Sequence, residues 1–194
     1  MKRKIKLNKK LLSVSRLVHI YVSIALFTLL IFFSVTGITL NHPEWFAAEQ
    51  SQDSSLDFQV APELLAEDQQ GALLTYLYRQ QLLGKGVLTV ERSEEEIYIS
   101  VKRPGVNHVL MMDTASGESY RETSDYGNWA LLNDLHKGRN AGLFWSWVID
   151  VTSALFILFG ISGFILVIPQ KRFMKTVFVA TATSSLVVVG YAIS

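Results

Sequence analysis

The chain has 194 residues, 49% of them hydrophobic, with a formal charge of +1 and a mean hydropathy of +0.27. It is too apolar for an ordinary water-soluble domain and too short for more than a few membrane spans and one modest core. The absence of cysteine excludes disulfides, thiolate metal sites and covalently attached c-type haem. No nucleophile–His–Asp set, HExxH helix, phosphate loop or nucleic-acid patch is visible.

Residues 1–16 carry Lys2, Arg3, Lys4, Lys6, Lys9, Lys10 and Arg16 and no acid. Leu17–Leu40 follows, 24 residues with no Asp, Glu, Lys or Arg and with His19 as its one histidine. As a helix it would cover about 36 Å, enough to cross a hydrocarbon core of about 30 Å. The rival is a cleavable signal peptide with Phe46-Ala47-Ala48 as its small-residue site, but an apolar core of about 7–15 residues is usual there. The length therefore favours a retained span.

Residues 41–142 form a polar segment. Ser51–Ser55 reads as a linker. Pro62–Leu83 reads as a helix with a stripe of Leu64, Leu65, Leu73, Leu74 and Leu77, ended by Gly84 and Gly86. Val87–Glu91 reads as a strand; Ile97, Ile99 and Val101 alternate with polar partners in a second. A turn at Arg103-Pro-Gly-Val leads to a third strand, Val106–Asp113. Ala115-Ser-Gly117 then turns into Glu118–Glu122, and Tyr126–Leu135 reads as a short helix. The unit is one helix on a small antiparallel sheet. Leu143–Ile168 is a second span of 26 residues, interrupted by Asp150 and ended by Pro169. A basic loop, 169–176, precedes a third span, Val177–Ile193, at the lower limit of length. The expected class is a membrane α-helical protein with three spans and an α+β module.

The basic N-terminus and the loop carrying Lys171, Arg172 and Lys175 would both be cytoplasmic by the positive-inside rule. Residues 41–142 and the C-terminus would then lie outside, in a periplasm-like compartment. Trp45, Trp145 and Trp147 would sit at the outer interface.

Six residues carry most of the chemistry. His42 and His136 border the outer ends of the first two spans, and two imidazoles from facing helices can hold a b-type haem. Lys137 and Arg139 are placed to meet propionates or another anionic ligand. Asp150 is costly inside an apolar helix, by about 2.5–3.5 kcal/mol or more; it could orient a ligating imidazole, relay protons, or bond to Ser34, Thr36 or Ser153. His19 lies about 34 Å along the helix from His42, so the two cannot share a metal; as an inner-side ligand it needs another protomer, a non-histidine ligand or a partner. The alternative is that these histidines are interfacial hydrogen-bonding residues. His108, on a strand, reads as a surface histidine. Gly37, Gly160, Gly163, Ser34 and Ser162 read as close helix packing.

The hairpin Val-Leu-Met-Met-Asp113-Thr-Ala-Ser-Gly-Glu118 resembles a PepSY module. The spans resemble the PepSY-associated transmembrane helix family through Arg16-Leu-Val-His19, Ser34-Val-Thr-Gly37-Ile-Thr-Leu-Asn-His42, Leu135-His-Lys-Gly138, Asp150 and Gly160-Ile-Ser-Gly163. The resemblance covers nearly the whole chain. It implies a bacterial inner-membrane location and, from longer members that are ferric-siderophore reductases, haem b between membrane histidines, electron transfer and a part in iron uptake. The expected partners are the lipid bilayer, a quinol or redox protein and a second copy of the chain, with no nucleic acid. This chain is a short version with three spans and no flavin or nicotinamide domain, so it would be a component of a ferric reductase rather than a complete one. Two other readings stay open: a non-enzymatic binding or regulatory protein whose module docks a peptidase or transporter, and a metal-handling accessory using His42, His136 and His108.

Overall fold

The structure is a computed structural model that describes residues 7–45 and 51–193. The basic residues Lys2–Lys6 and the candidate cleavage stretch Phe46–Ala48 lie outside the described residues.

Among the described residues three helices are long and apolar enough to cross a membrane: α1 (Lys9–Asn41), α4 (Gly142–Val167) and α5 (Lys171–Ile193). α1 begins two turns before the expected Leu17, because Asn8 Oδ1 accepts the Lys10 N–H at 2.9 Å and caps the helix. It ends at Asn41, since Pro43 disfavours helical backbone at His42. α4 stops just before Pro169, as expected. α5 starts at Lys171, inside the stretch read as a loop; its Lys, Arg and Met residues are good helix formers.

The chain folds as two compact units, Met1–Leu30 with Asp150–Ser194, and Ile31–Ile149. In the first, Ser15, Leu26, Thr152 and Ser162 are buried. Small and polar side chains, with Leu26, thus line the packed faces of α1 and α4.

The second unit holds a five-stranded antiparallel sheet of order β1-β5-β4-β3-β2. Its strands are β1 (Gln52–Gln59), β2 (Val87–Arg92), β3 (Glu96–Arg103), β4 (Val106–Asp113) and β5 (Glu118–Asp125). Ile97, Ile99, Val101, Leu110 and Met112 project from one face and pack against Leu73 and Leu77 of α2 (Gln70–Arg79), with Val60, Leu65 and Leu82 closing the margins. Gly117 holds the β4–β5 turn. Its φ is +73° and an added Cβ would stand 2.1 Å from the Val60 carbonyl, so only glycine fits.

Two expectations are corrected here. The segment read as a linker, Ser51–Ser55, is mostly strand: β1 pairs along β5 from Gln52↔Asp125 to Gln59↔Glu118. Its side chains are largely exposed, so backbone pairing forms a strand that no alternation signals. The expected helix Pro62–Leu83 is α-helical only over Gln70–Arg79; Pro62–Leu65 and Glu67–Gln69 are single 3-10 turns. Extended backbone at Ala66 separates those turns, and Gln81, at φ +56°, ends the helix run.

Leu77 is fully buried at the centre of this core. Leu77→Ala should destabilise the protein by about 2–5 kcal/mol, measured as a lower unfolding midpoint of the purified chain in detergent.

Candidate functional site

α3 (Gly127–Lys137) connects the sheet to α4. It ends on Gly138 in the left-handed region, with Gly138 N–H donating to Leu135 O and Arg139 N–H to Asp134 O, a paired arrangement that satisfies the last carbonyls. At its other side α3 is fastened to the β3–β4 turn: Gly105 N–H donates to Asp134 Oδ2 at 3.0 Å, and a Cβ on Gly105 would meet Leu131 at 2.9 Å.

This placement brings His136 onto the last turns of α1. Its Nδ1 lies 2.6 Å from Thr36 Oγ1, and its ring meets Phe33 edge-on at 5.1 Å. Thr36 Oγ1 also lies 2.7 Å from the Phe32 carbonyl, an acceptor that only the hydroxyl's own proton can satisfy. Both contacts are met when the hydroxyl donates to Phe32 and accepts from His136 Nδ1–H. In the neutral ring Nε2 then bears the lone pair, and among the described residues it has no hydrogen-bond partner. Trp145 Nε1 donates to Leu135 O at 2.6 Å, and its ring meets Phe32 at 6.1 Å, which braces the same corner.

His19 is held in the same manner by one turn of α4. Its Nδ1 reaches the Phe159 carbonyl and Ser162 Oγ, each at 3.2 Å, while Ser162 itself donates to Phe159 O at 2.9 Å. A carbonyl can only accept, so the proton is again on Nδ1. The ring stacks on Phe159 at 4.4 Å, and Gly163 leaves the space occupied by Cε1, which a Cβ would meet at 3.0 Å. An imidazole held through Nδ1–H with Nε2 available is the usual arrangement of a metal-ligating histidine.

His42 is placed differently. It follows α1, stacks on Trp45 at 3.9 Å, contacts Glu44 through Nδ1 at 3.3 Å and Asn41 Nδ2 through Nε2 at 3.3 Å. It lies six residues beyond Thr36, about 9 Å along the helix and about 120° around it. Among the described residues no contact joins His42 to His136. Lys137 and Arg139 are exposed at the end of α3. Asp150 is exposed on α4, and among the described residues it makes no hydrogen bond. Thr36, read from sequence as one candidate partner for Asp150, instead holds His136. Among the described residues no three His, Asp or Glu side chains converge to hold a metal ion.

His108 is partly buried rather than fully on the surface. Its Nδ1 lies 2.9 Å from Thr123 Oγ1, and Gly84 closes over the ring edge, where a Cβ would stand 2.9 Å away. Burial, then the charges of Arg103 and Arg121, hold its pKa below the ordinary value.

Sequence reasoning missed Phe159, Ser162, Gly163, Thr36 and Trp145 as the residues that position imidazoles. The signal was present in the small residues at helical spacing, but close packing alone explains such residues equally well.

Two outcomes follow from this geometry. Gly163→Val should displace the His19 ring and Thr36→Val should free His136 Nδ1; in nitrogen-15 spectra of the imidazoles, each variant should lose the Nδ1–H pattern at its own histidine only. Below the ordinary imidazole value of about 6.5, the unfolded chain takes up a proton at His108 before the folded one does. The module should therefore lose stability as pH falls through that range, and His108→Gln should flatten the pH dependence of the unfolding midpoint.

No curated protein and no solved structure matches this chain. A family model does, across residues 13–193, which takes in all three apolar helices and the whole sheet module. With helices of membrane-spanning length and a PepSY-like hairpin on one chain, the protein is a membrane protein that belongs to the PepSY_TM-like family.

Proposed function

We propose that this protein is an inner-membrane electron carrier that holds one haem b near its outer face and passes electrons to an extracytoplasmic acceptor such as a ferric chelate. The observation that supports it is the state of His136: Nδ1–H bonded to Thr36, Nε2 free, and the ring fixed by Phe33. Such an imidazole would hold haem iron through Nε2. His42 would supply the second imidazole. Its present partners, Asn41 and Glu44, are exposed, and water can replace them. Lys137 and Arg139, exposed beside His136, would pair with the propionates. When bound, haem supplies a one-electron couple. Residues 41–142 are periplasmic in this reading, with the N-terminus cytoplasmic. A quinol or a redox protein supplies the electrons, and the chain is one component of a ferric reductase.

Purified protein should show a reducible b-type spectrum, or acquire one saturably on adding hemin. His136→Ala and His42→Ala should each remove at least tenfold of that binding. A protein with no such bands and no saturable hemin binding would end this reading.

A second reading, a membrane-anchored protein that binds or regulates a peptidase or transporter, draws on the sheet face opposite α2. Register places Asp57, Tyr120, Met111 and Tyr98 in one row across it. By the same alternation Asp53, Glu91, Glu96, Asp113, Glu118 and Glu122 share that face with Lys102 as the only base. A face with that charge suits a basic partner segment.

A further inference from the structure

α4 has two faces. Thr152, Phe159 and Ser162 lie on the one turned to α1, where Thr152 and Ser162 are buried. Asp150 is nine residues before Phe159, about 180° around the helix from it. It therefore centres the opposite face, together with Ser153, Ala154, Ile157, Gly160 and Ile161. That face is open: Ile157 is 63% and Ile161 54% exposed, and a Cβ added to Gly160 would meet nothing within 4 Å.

We propose that this face of α4 docks α4 of a second copy of the chain, in a two-fold pair with its axis along the membrane normal. Asp150 stands about 12 Å into α4 from Gly142, within a helix whose mean hydropathy marks it as membrane-spanning. A carboxyl there must find a hydrogen-bonding partner, and intramembrane acids almost always face protein or water rather than lipid. The described parts of this chain provide none.

The chemistry of the face favours self-association. In a parallel two-fold pair each residue meets residues at its own depth, so Asp150 of one copy approaches Asp150 and Ser153 of the other. A carboxyl that carries its proton is both donor and acceptor, so two such groups across the axis would satisfy each other without any third species. Ala154 and Gly160 lack bulk and let the two backbones approach, which is how helices associate in lipid. A foreign helix would have to bring its own donor at that depth. The membrane-spanning stretch of α4 has no Lys, Arg or His to offer in a charge pair.

The chain has no cysteine, so single-cysteine variants report contacts directly. In liposomes, Ala154→Cys and Ile157→Cys should cross-link into dimers on oxidation. Leu155→Cys, about 140° around the helix from Asp150 and half-buried on the α1 side, should stay monomeric. In dilution experiments read by energy transfer between labelled copies, Asp150→Leu should weaken dimerisation tenfold or more. Asp150→Asn, which keeps a donor and an acceptor, should retain most of it. An unchanged circular dichroism spectrum for Asp150→Leu shows that the helices remain. Monomers at every protein-to-lipid ratio, equal cross-linking from both faces, or an Asp150→Leu variant that dimerises as wild type would each overturn the proposal. A monomeric wild type that instead binds a lysine-bearing polyleucine helix through Asp150 would also overturn it, in favour of a foreign partner.

Discussion

A polar ring among apolar helices must have its nitrogens accounted for, and the candidate site is arranged around that constraint. In water an imidazole has ready partners; beside Phe32 and Phe33 it has only what α1 supplies. Thr36 meets the need at the least cost. Its hydroxyl is already bound back to its own helix and turns one lone pair outward, so it accepts Nδ1–H without leaving its own proton unpaired. Fixing one nitrogen fixes the tautomer and thereby the availability of the other. The position of α3 and the bracing by Trp145 both serve to keep that single bond in place.

The His19 cradle shows the same logic with different parts. There the acceptor is a main-chain carbonyl, Phe159 O, assisted by Ser162. Backbone carbonyls of a helix are normally committed to the ladder, yet each has a second lone pair. An imidazole from a neighbouring helix can use it only where no side chain intervenes, which is what Gly163 permits. Glycine and serine in α4 thus allow close approach and, at this one turn, direct a histidine.

The sheet module divides its own faces by burial and charge. One face spends its alternating Ile, Val, Leu and Met residues on α2 and becomes the core; the other collects carboxylates. Asp113 shows that not all of these acids are equivalent. Its Oδ1 accepts the Ser116 N–H, the Ser116 hydroxyl and the Ala115 N–H, which hold its pKa below the usual carboxylate range and make it part of the β4–β5 turn.

The sequence by itself determined the three spans, strands β2, β3 and β4, and the helix before α4. Each of these writes its hydrophobic period, or its Gly and Pro stops, into consecutive residues. It also pointed to the histidines and Asp150, because a polar group in an apolar stretch stands out by its cost. Tertiary structure decided what local pattern does not carry. β1 exists because β5 lies beside it, although Gln52-Asp-Ser-Ser55 has no strand periodicity. The helix after Pro62 is short because extended backbone at Ala66 intervenes. Above all, the chemical state of His19 and His136 depends on atoms 100 or more residues away in the chain. Which nitrogen bears the proton is set by the neighbour that folding brings within hydrogen-bond distance, and no spacing in the sequence encodes that.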